Sequence, residues 1–121
     1  MYFQYARNVK VRDVEVNWEK PAWERWQSAF YFENVSGLQV QGFTGGPARL
    51  ESNTPAVVLD QVEDAAICNS RTRAGTQVFL GVKGTTSKKI YLVGNELHEA
   101  GKPFTVDAKV KEGTVNAVNN F

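Results

Sequence analysis

Leu38-Gln39-Val40-Gln41-Gly42 and, 27 residues further on, Ala65-Ala66-Ile67-Cys68-Asn69 have one design: two apolar residues spaced by two, then a turn-forming residue two positions later. The same design occurs at Val9/Val11 with Asp13, Ile90/Leu92 with Gly94, and Val115/Ala117 with Asn119, at separations of about 29, 27, 25 and 25 residues. A spacing of two puts both side chains of each pair on one face of a strand. Gly, Asn and Asp are the residues that best tolerate the left-handed backbone of a tight corner. A strand and a corner that return together at a near-fixed period signal a solenoid.

A second strand precedes the pair in each full coil, at Ala29 to Phe32, Ala56 to Leu59, Val78 to Val82 and Phe104 to Ala108. These segments are rich in the β-branched and aromatic residues that suit strands. Gly45-Gly46-Pro47, Arg73 to Thr76 and Gly84 to Lys88 read as projecting loops. Helical periodicity is weak everywhere except between Pro21 and Ala29. The sequence therefore predicts an all-β chain, a right-handed parallel β-helix of about five coils, over residues 1–121 as a single segment. An antiparallel sandwich is the competing reading, and the repeated register of pairs and corners, with no Asn-Gly hairpin signal, weighs against it. Tyr2, Phe3 and Gln4 fit either a first strand or the remnant of a cleaved tag.

The chain has 14 basic and 13 acidic residues, so net charge gives no reason to expect nucleic acid or an anionic membrane as partner. No apolar run is long enough for a membrane helix, and no signal peptide is visible. Cys68 is the one cysteine, which excludes an intrachain disulfide. No cofactor or metal is expected. His98 between Glu96 and Glu99 is one histidine among acids, too few converging ligands for a transition metal. Asp60, Glu63 and Asp64 form an acidic cluster whose plainer reading is a solvated turn. Arg71, Arg73, Lys88 and Lys89 are scattered basic residues of a kind that solvates loops.

The chain resembles the late coils of pectin-lyase-like β-helix proteins, in particular bacterial proteins related to the polygalacturonases of glycoside hydrolase family 28. The residues that carry the likeness are Asn8-Val9-Lys10-Val11-Arg12-Asp13-Val14-Glu15-Val16, Ser28-Ala29-Phe30-Tyr31-Phe32-Glu33-Asn34-Val35-Ser36-Gly37-Leu38 and Pro55-Ala56-Val57-Val58-Leu59-Asp60-Gln61-Val62. The resemblance implies that the chain is the C-terminal part of a longer, secreted or periplasmic, polysaccharide-degrading protein. The family's Asn-Thr-Asp, Asp-Asp, Gly-His-Gly and Arg-Ile-Lys segments do not occur. Where its Asp-Asp pair would precede a strand stand Gln27-Ser28, Thr54-Pro55 and Thr76-Gln77, none of them carboxylates. Inverting hydrolysis needs an acid and a base flanking the scissile bond, so no catalytic residue is assigned and a structural or sugar-binding role is expected.

The longest insertion, Asn17 to Trp26, holds Trp18, Trp23, Glu24, Arg25 and Trp26. Indole faces among both signs of charge resemble a platform that stacks on a pyranose. The alternative is a hydrophobic lid over the side of the coils. An oligo- or polysaccharide is thus the first expected partner. Self-association through the solenoid ends is the second, because open strand edges template further pairing.

Overall fold

The computed structural model describes residues 1–18 and 27–121. Among them there is no helix, and hence none long and apolar enough to cross a membrane. The described residues form ten strands in order: β1 (Tyr2–Arg12), β2 (Phe30–Gln41), β3 (Thr44–Gly45), β4 (Val57–Asp60), β5 (Glu63–Cys68), β6 (Arg71–Thr72), β7 (Val78–Lys83), β8 (Lys88–Val93), β9 (Lys102–Val106) and β10 (Val115–Val118).

Every pairing is parallel, and each coil lies on the one before it, giving a β-solenoid of about four turns. The five apolar pairs are five rungs, which enclose four full repeats. Strands β1 and β2 are long because each bends around a corner and serves two faces. The first half of β2 pairs with β4, which pairs with β7 and then β9; the second half pairs with β5, then β8, then β10. On the second face the register runs Val9↔Leu38, Leu38↔Ala65, Ala65↔Ile90 and Ile90↔Val115, the pairs read from the sequence.

Leu38, Val40, Ile67, Ile90 and Leu92 are all buried in this column. The first face adds Phe30 and Phe32, Val57 and Leu59, and Leu80 and Val82, each pair on the pair before it. Alternation of inward and outward side chains along each strand makes this possible. The two columns meet across Phe43, whose ring stands edge-on to Phe30 at 5.0 Å between centroids. Tyr2-Phe3-Gln4 forms the start of β1, in register with Tyr31-Phe32-Glu33, and the Phe3 ring stacks on Phe32 at 5.1 Å.

The five corner residues all have left-handed backbone: Asp13, Gly42, Asn69, Gly94 and Asn119 have φ between +51° and +73°. One position beyond the corner, a hydrogen-bonded ladder runs up the inside of the stack. Asn95, fully buried, donates from Nδ2 to the Ile67 carbonyl at 2.9 Å and accepts at Oδ1 from the Ser70 amide at 2.8 Å. Asn120 repeats this one coil on, donating to the Leu92 carbonyl and accepting from the Asn95 amide. The Ser70 hydroxyl accepts from the Phe43 amide. The corner bend takes these backbone groups out of the regular ladder of sheet bonds, and the inward amides satisfy them.

Gly45-Gly46-Pro47 reads as loop from residue type alone. Instead Thr44-Gly45 pairs with Arg71-Thr72, and bridges from Glu15 to Thr44 and from Arg71 to Glu96 extend this into a narrow third face. The loops that close each coil come after it. Cys68, at the end of β5, is a half-buried free thiol.

Candidate functional site

The outer side of the first face is a ladder of positions set by register. One column reads Tyr2, Tyr31, Val58, Gly81 and Thr105; the next reads Gln4, Glu33, Asp60, Lys83 and, just past β9, Asp107. Parallel pairing without offset places each of these side chains directly above its counterpart. The Tyr2 and Tyr31 rings consequently stack at 5.0 Å with 13° between their planes.

The charged column pins the rings in place. The Tyr2 hydroxyl donates to Glu33 Oε1, Gln4 donates to Glu33 Oε2 at 2.9 Å, and the Tyr31 hydroxyl donates to Asp60 Oδ2 at 2.9 Å. The Lys83 ammonium lies 5.3 Å from the centre of the Tyr31 ring, within reach of a cation–π attraction. Hydrogen bonding to the Glu33 carboxylate pushes the Tyr2 phenol up to about 12, since the bond favours the protonated form. Burial raises Tyr31, and the adjoining Tyr31 side chain, with Asp60 and Asp107 nearby, holds the Lys83 ammonium charged to higher pH.

These groups floor a groove. Gln27, Ser28, Thr54 and Pro55 wall it beside Tyr2, Tyr31, Val58 and Lys83, enclosing about 640 Å³. It continues past Pro55 and Val58 into a space of about 280 Å³ over Gly81, Thr105 and Asp107. Gly81 fits here because a Cβ would meet Pro55 Cγ at 2.6 Å. The result is a trough along the stack axis with an aromatic floor at one end and side chains of both charges on its flank. Such a surface can stack on an apolar ring face and hydrogen-bond the groups at its rim.

A titration follows directly. Tyrosinate absorbance should show Tyr2 remaining a phenol well above pH 10 and ionising near pH 12, and Glu33→Gln should bring it back towards 10. A raised folded-state value contributes stability that is present below the unfolded value near 10 and is lost as pH rises through 12.

Of the residues singled out in the sequence, Asp60 stands in the trough's charged column, and the others that the structure describes fall elsewhere. Trp18 is half buried against the core, and its indole N–H donates to the Gly46 carbonyl at 2.8 Å, on the side of the third face. That contact has the form of a lid. Trp23, Glu24, Arg25 and Trp26 lie outside the described residues. Asp60 and Asp64 occupy different strands, β4 and β5, with the left-handed Gln61 turning the chain between them. Glu63 pairs with Lys88 across coils at 3.9 Å, Arg71 pairs with Glu96, and His98 is exposed beside Glu99 at 3.6 Å. Among the described residues no group of three or more His, Cys, Asp or Glu is placed to hold a metal.

Fold and surface together define a parallel β-helix with a trough on the outside of its first face. No family model, curated protein or solved structure matches the chain.

Proposed function

We propose that the chain is a non-catalytic, saccharide-binding segment of a polysaccharide-degrading, polygalacturonase-like β-helix protein, and that the trough over Tyr2 and Tyr31 is its binding surface. The observation that carries this reading is the pair of stacked, hydrogen-bonded tyrosines at the floor of an elongated groove. Tyr31 backs one face of the Tyr2 ring, and the exposed Tyr2 ring, held by its bond to Glu33, offers its other face to a flat sugar face with little ordering cost. Gln27-Ser28 and Thr54-Pro55, the positions where the resembled family would carry its carboxylates, stand on the trough's wall. Amides and hydroxyls there suit hydrogen bonding to sugar rather than proton transfer at a glycosidic bond.

Calorimetric titration with neutral and acidic hexasaccharides tests this. Tyr31→Ala should weaken binding about tenfold, on the scale of one lost aromatic contact, while Tyr31→Phe, which retains the ring, should weaken it far less. Absence of binding across the panel, or equal affinity for wild type and Tyr31→Ala, overturns the reading.

A second reading is an assembly module. The outer edge of β1, eleven residues long, has no strand partner among the described residues. An edge of that length offers a full row of unpaired amides and carbonyls. Sedimentation of the purified chain over a hundredfold concentration range should then show association, abolished by a proline at an edge position such as Lys10. A monomer throughout removes this reading.

A further inference from the structure

A second groove follows the corner between the first and second faces. It encloses about 710 Å³ and is lined by residues of four successive coils: Tyr5, Arg7 and Asn8, then Asn34 and Ser36, then Gln61 and Glu63, then Thr86. Its shape comes from stacked left-handed residues. Tyr5, Asn34 and Gln61, with φ of 55°, 54° and 56°, occupy the same corner position in consecutive coils. Asn8, Gly37 and Asp64 form a parallel left-handed column three residues further along each strand.

The connection at this corner widens along the chain. Single residues turn it at Tyr5 and Asn34, whereas Gly84 to Ser87 separates β7 from β8 and residues 107–114 separate β9 from β10. The groove is closed at its far end, where Gln61 Oε1 accepts from both the amide and the hydroxyl of Thr86. At the near end the polar groups are unspent. Among the described residues the side chains of Tyr5, Arg7, Asn8, Asn34 and Ser36 have no hydrogen bond or ion pair, in contrast to the mutually satisfied groups of the first-face trough. Tyr5 is 75% exposed.

We infer that this corner groove is a second saccharide track, holding a linear oligosaccharide along the stack axis with Tyr5 as its stacking face. The ligand class comes from the spacing. Equivalent polar groups recur once per coil, at about 4.8 Å, the distance between neighbouring strands. An extended peptide advances about 3.3 Å per residue and falls out of step with that ladder. A nucleic acid strand needs a row of cations, and among the described residues Arg7 is the one cation in the lining. A pyranose chain advances by a length close to one coil per sugar and presents hydroxyls at each step. The ligand's terminal acidic or hydroxyl group falls to the Arg7 guanidinium.

The left-handed backbone supplies a clean test, because glycine takes φ near +55° without strain and so deletes a side chain here without disturbing the fold. Amide and side-chain NMR signals of the labelled chain are followed during titration with cellohexaose as neutral probe and hexagalacturonate as acidic probe. At least one probe should shift the signals of Arg7, Asn34 and Ser36. The double substitution Tyr5→Gly, Asn34→Gly should weaken that binding at least tenfold at unchanged melting temperature, and Arg7→Ala should weaken the acidic probe selectively. Tyr31→Ala should leave the corner signals responding as in wild type, so failure of the first-face trough and failure of this groove are separate results. The inference is overturned if neither probe shifts the corner signals, or if the double variant binds as tightly as wild type.

Discussion

Phe43→Ala should lower the unfolding free energy by about 3–5 kcal/mol, read from urea melts followed by fluorescence and circular dichroism. Phe43 is fully buried just beyond the Gly42 corner, edge-on to Phe30 and 6.2 Å from the Phe79 ring. Its ring fills the interior angle beside the Gly42 corner, against the first-face rings of Phe30 and Phe79, and neighbouring coils held by their own backbone ladders are poorly able to close the cavity left behind. The loss is a large part of the roughly 5–15 kcal/mol that a domain commands. Phe43→Leu, which retains most of the volume, should cost about 1.5 kcal/mol or less. A loss below about 1 kcal/mol for the alanine variant would show that this angle is not a packed core.

The second large effect is expected at Asn95. Asn95→Ala removes the acceptor of the Ser70 amide and the donor to the Ile67 carbonyl, both in the interior. Each orphaned buried group costs about 1–3 kcal/mol, so the variant should lose roughly 2–5 kcal/mol. Asn120→Ala deletes the equivalent rung in the last coil, where the side chain is half exposed and water can replace it, and should cost well under half as much. Equal losses at the two positions would contradict a ladder whose value depends on burial.

The second face was legible in the sequence because its signal is local: two apolar residues and a corner residue within five positions, repeated. Asp13, Gly42, Asn69, Gly94 and Asn119 could be read as left-handed from residue type alone, and they are. Asn95 and Asn120 went unrecognised beside them, since an asparagine after a corner reads as more turn until its inward amide is seen to bond the previous coil. The third face was not legible because Thr44-Gly45 and Arg71-Thr72 are two-residue strands held by backbone alone, with no side-chain pattern to betray them.

The trough on the first face was hidden for a different reason. Its residues come together only through register between coils, and that face does not have the period of the second: Asp60 lies opposite Lys83, whereas Ala65 lies opposite Ile90. One signal was present, the recurrence of Tyr2-Phe3-Gln4 as Tyr31-Phe32-Glu33, which puts two tyrosines in adjacent rungs. Of the three tryptophans of the insertion, Trp18 is the one among the described residues, and it turns its indole inward to Gly46. Composition identifies residues able to bind; only the pleat decides which of them face outward.

The widening corner between the first and second faces carries a consequence for how such a chain can be altered. Strands β7 and β8 stay in register with β4 and β5 although four residues now join them, and β9 and β10 stay in register with eight. Rung alignment is therefore independent of the length of chain that crosses this edge, because each strand is seated by the coil beneath it and by its own inward residues. Residues 107–114 are accordingly an acceptor site for grafting: a foreign segment spliced there would be carried at a fixed height on the column, and tandem grafts at successive corners would be displayed at intervals of one rung.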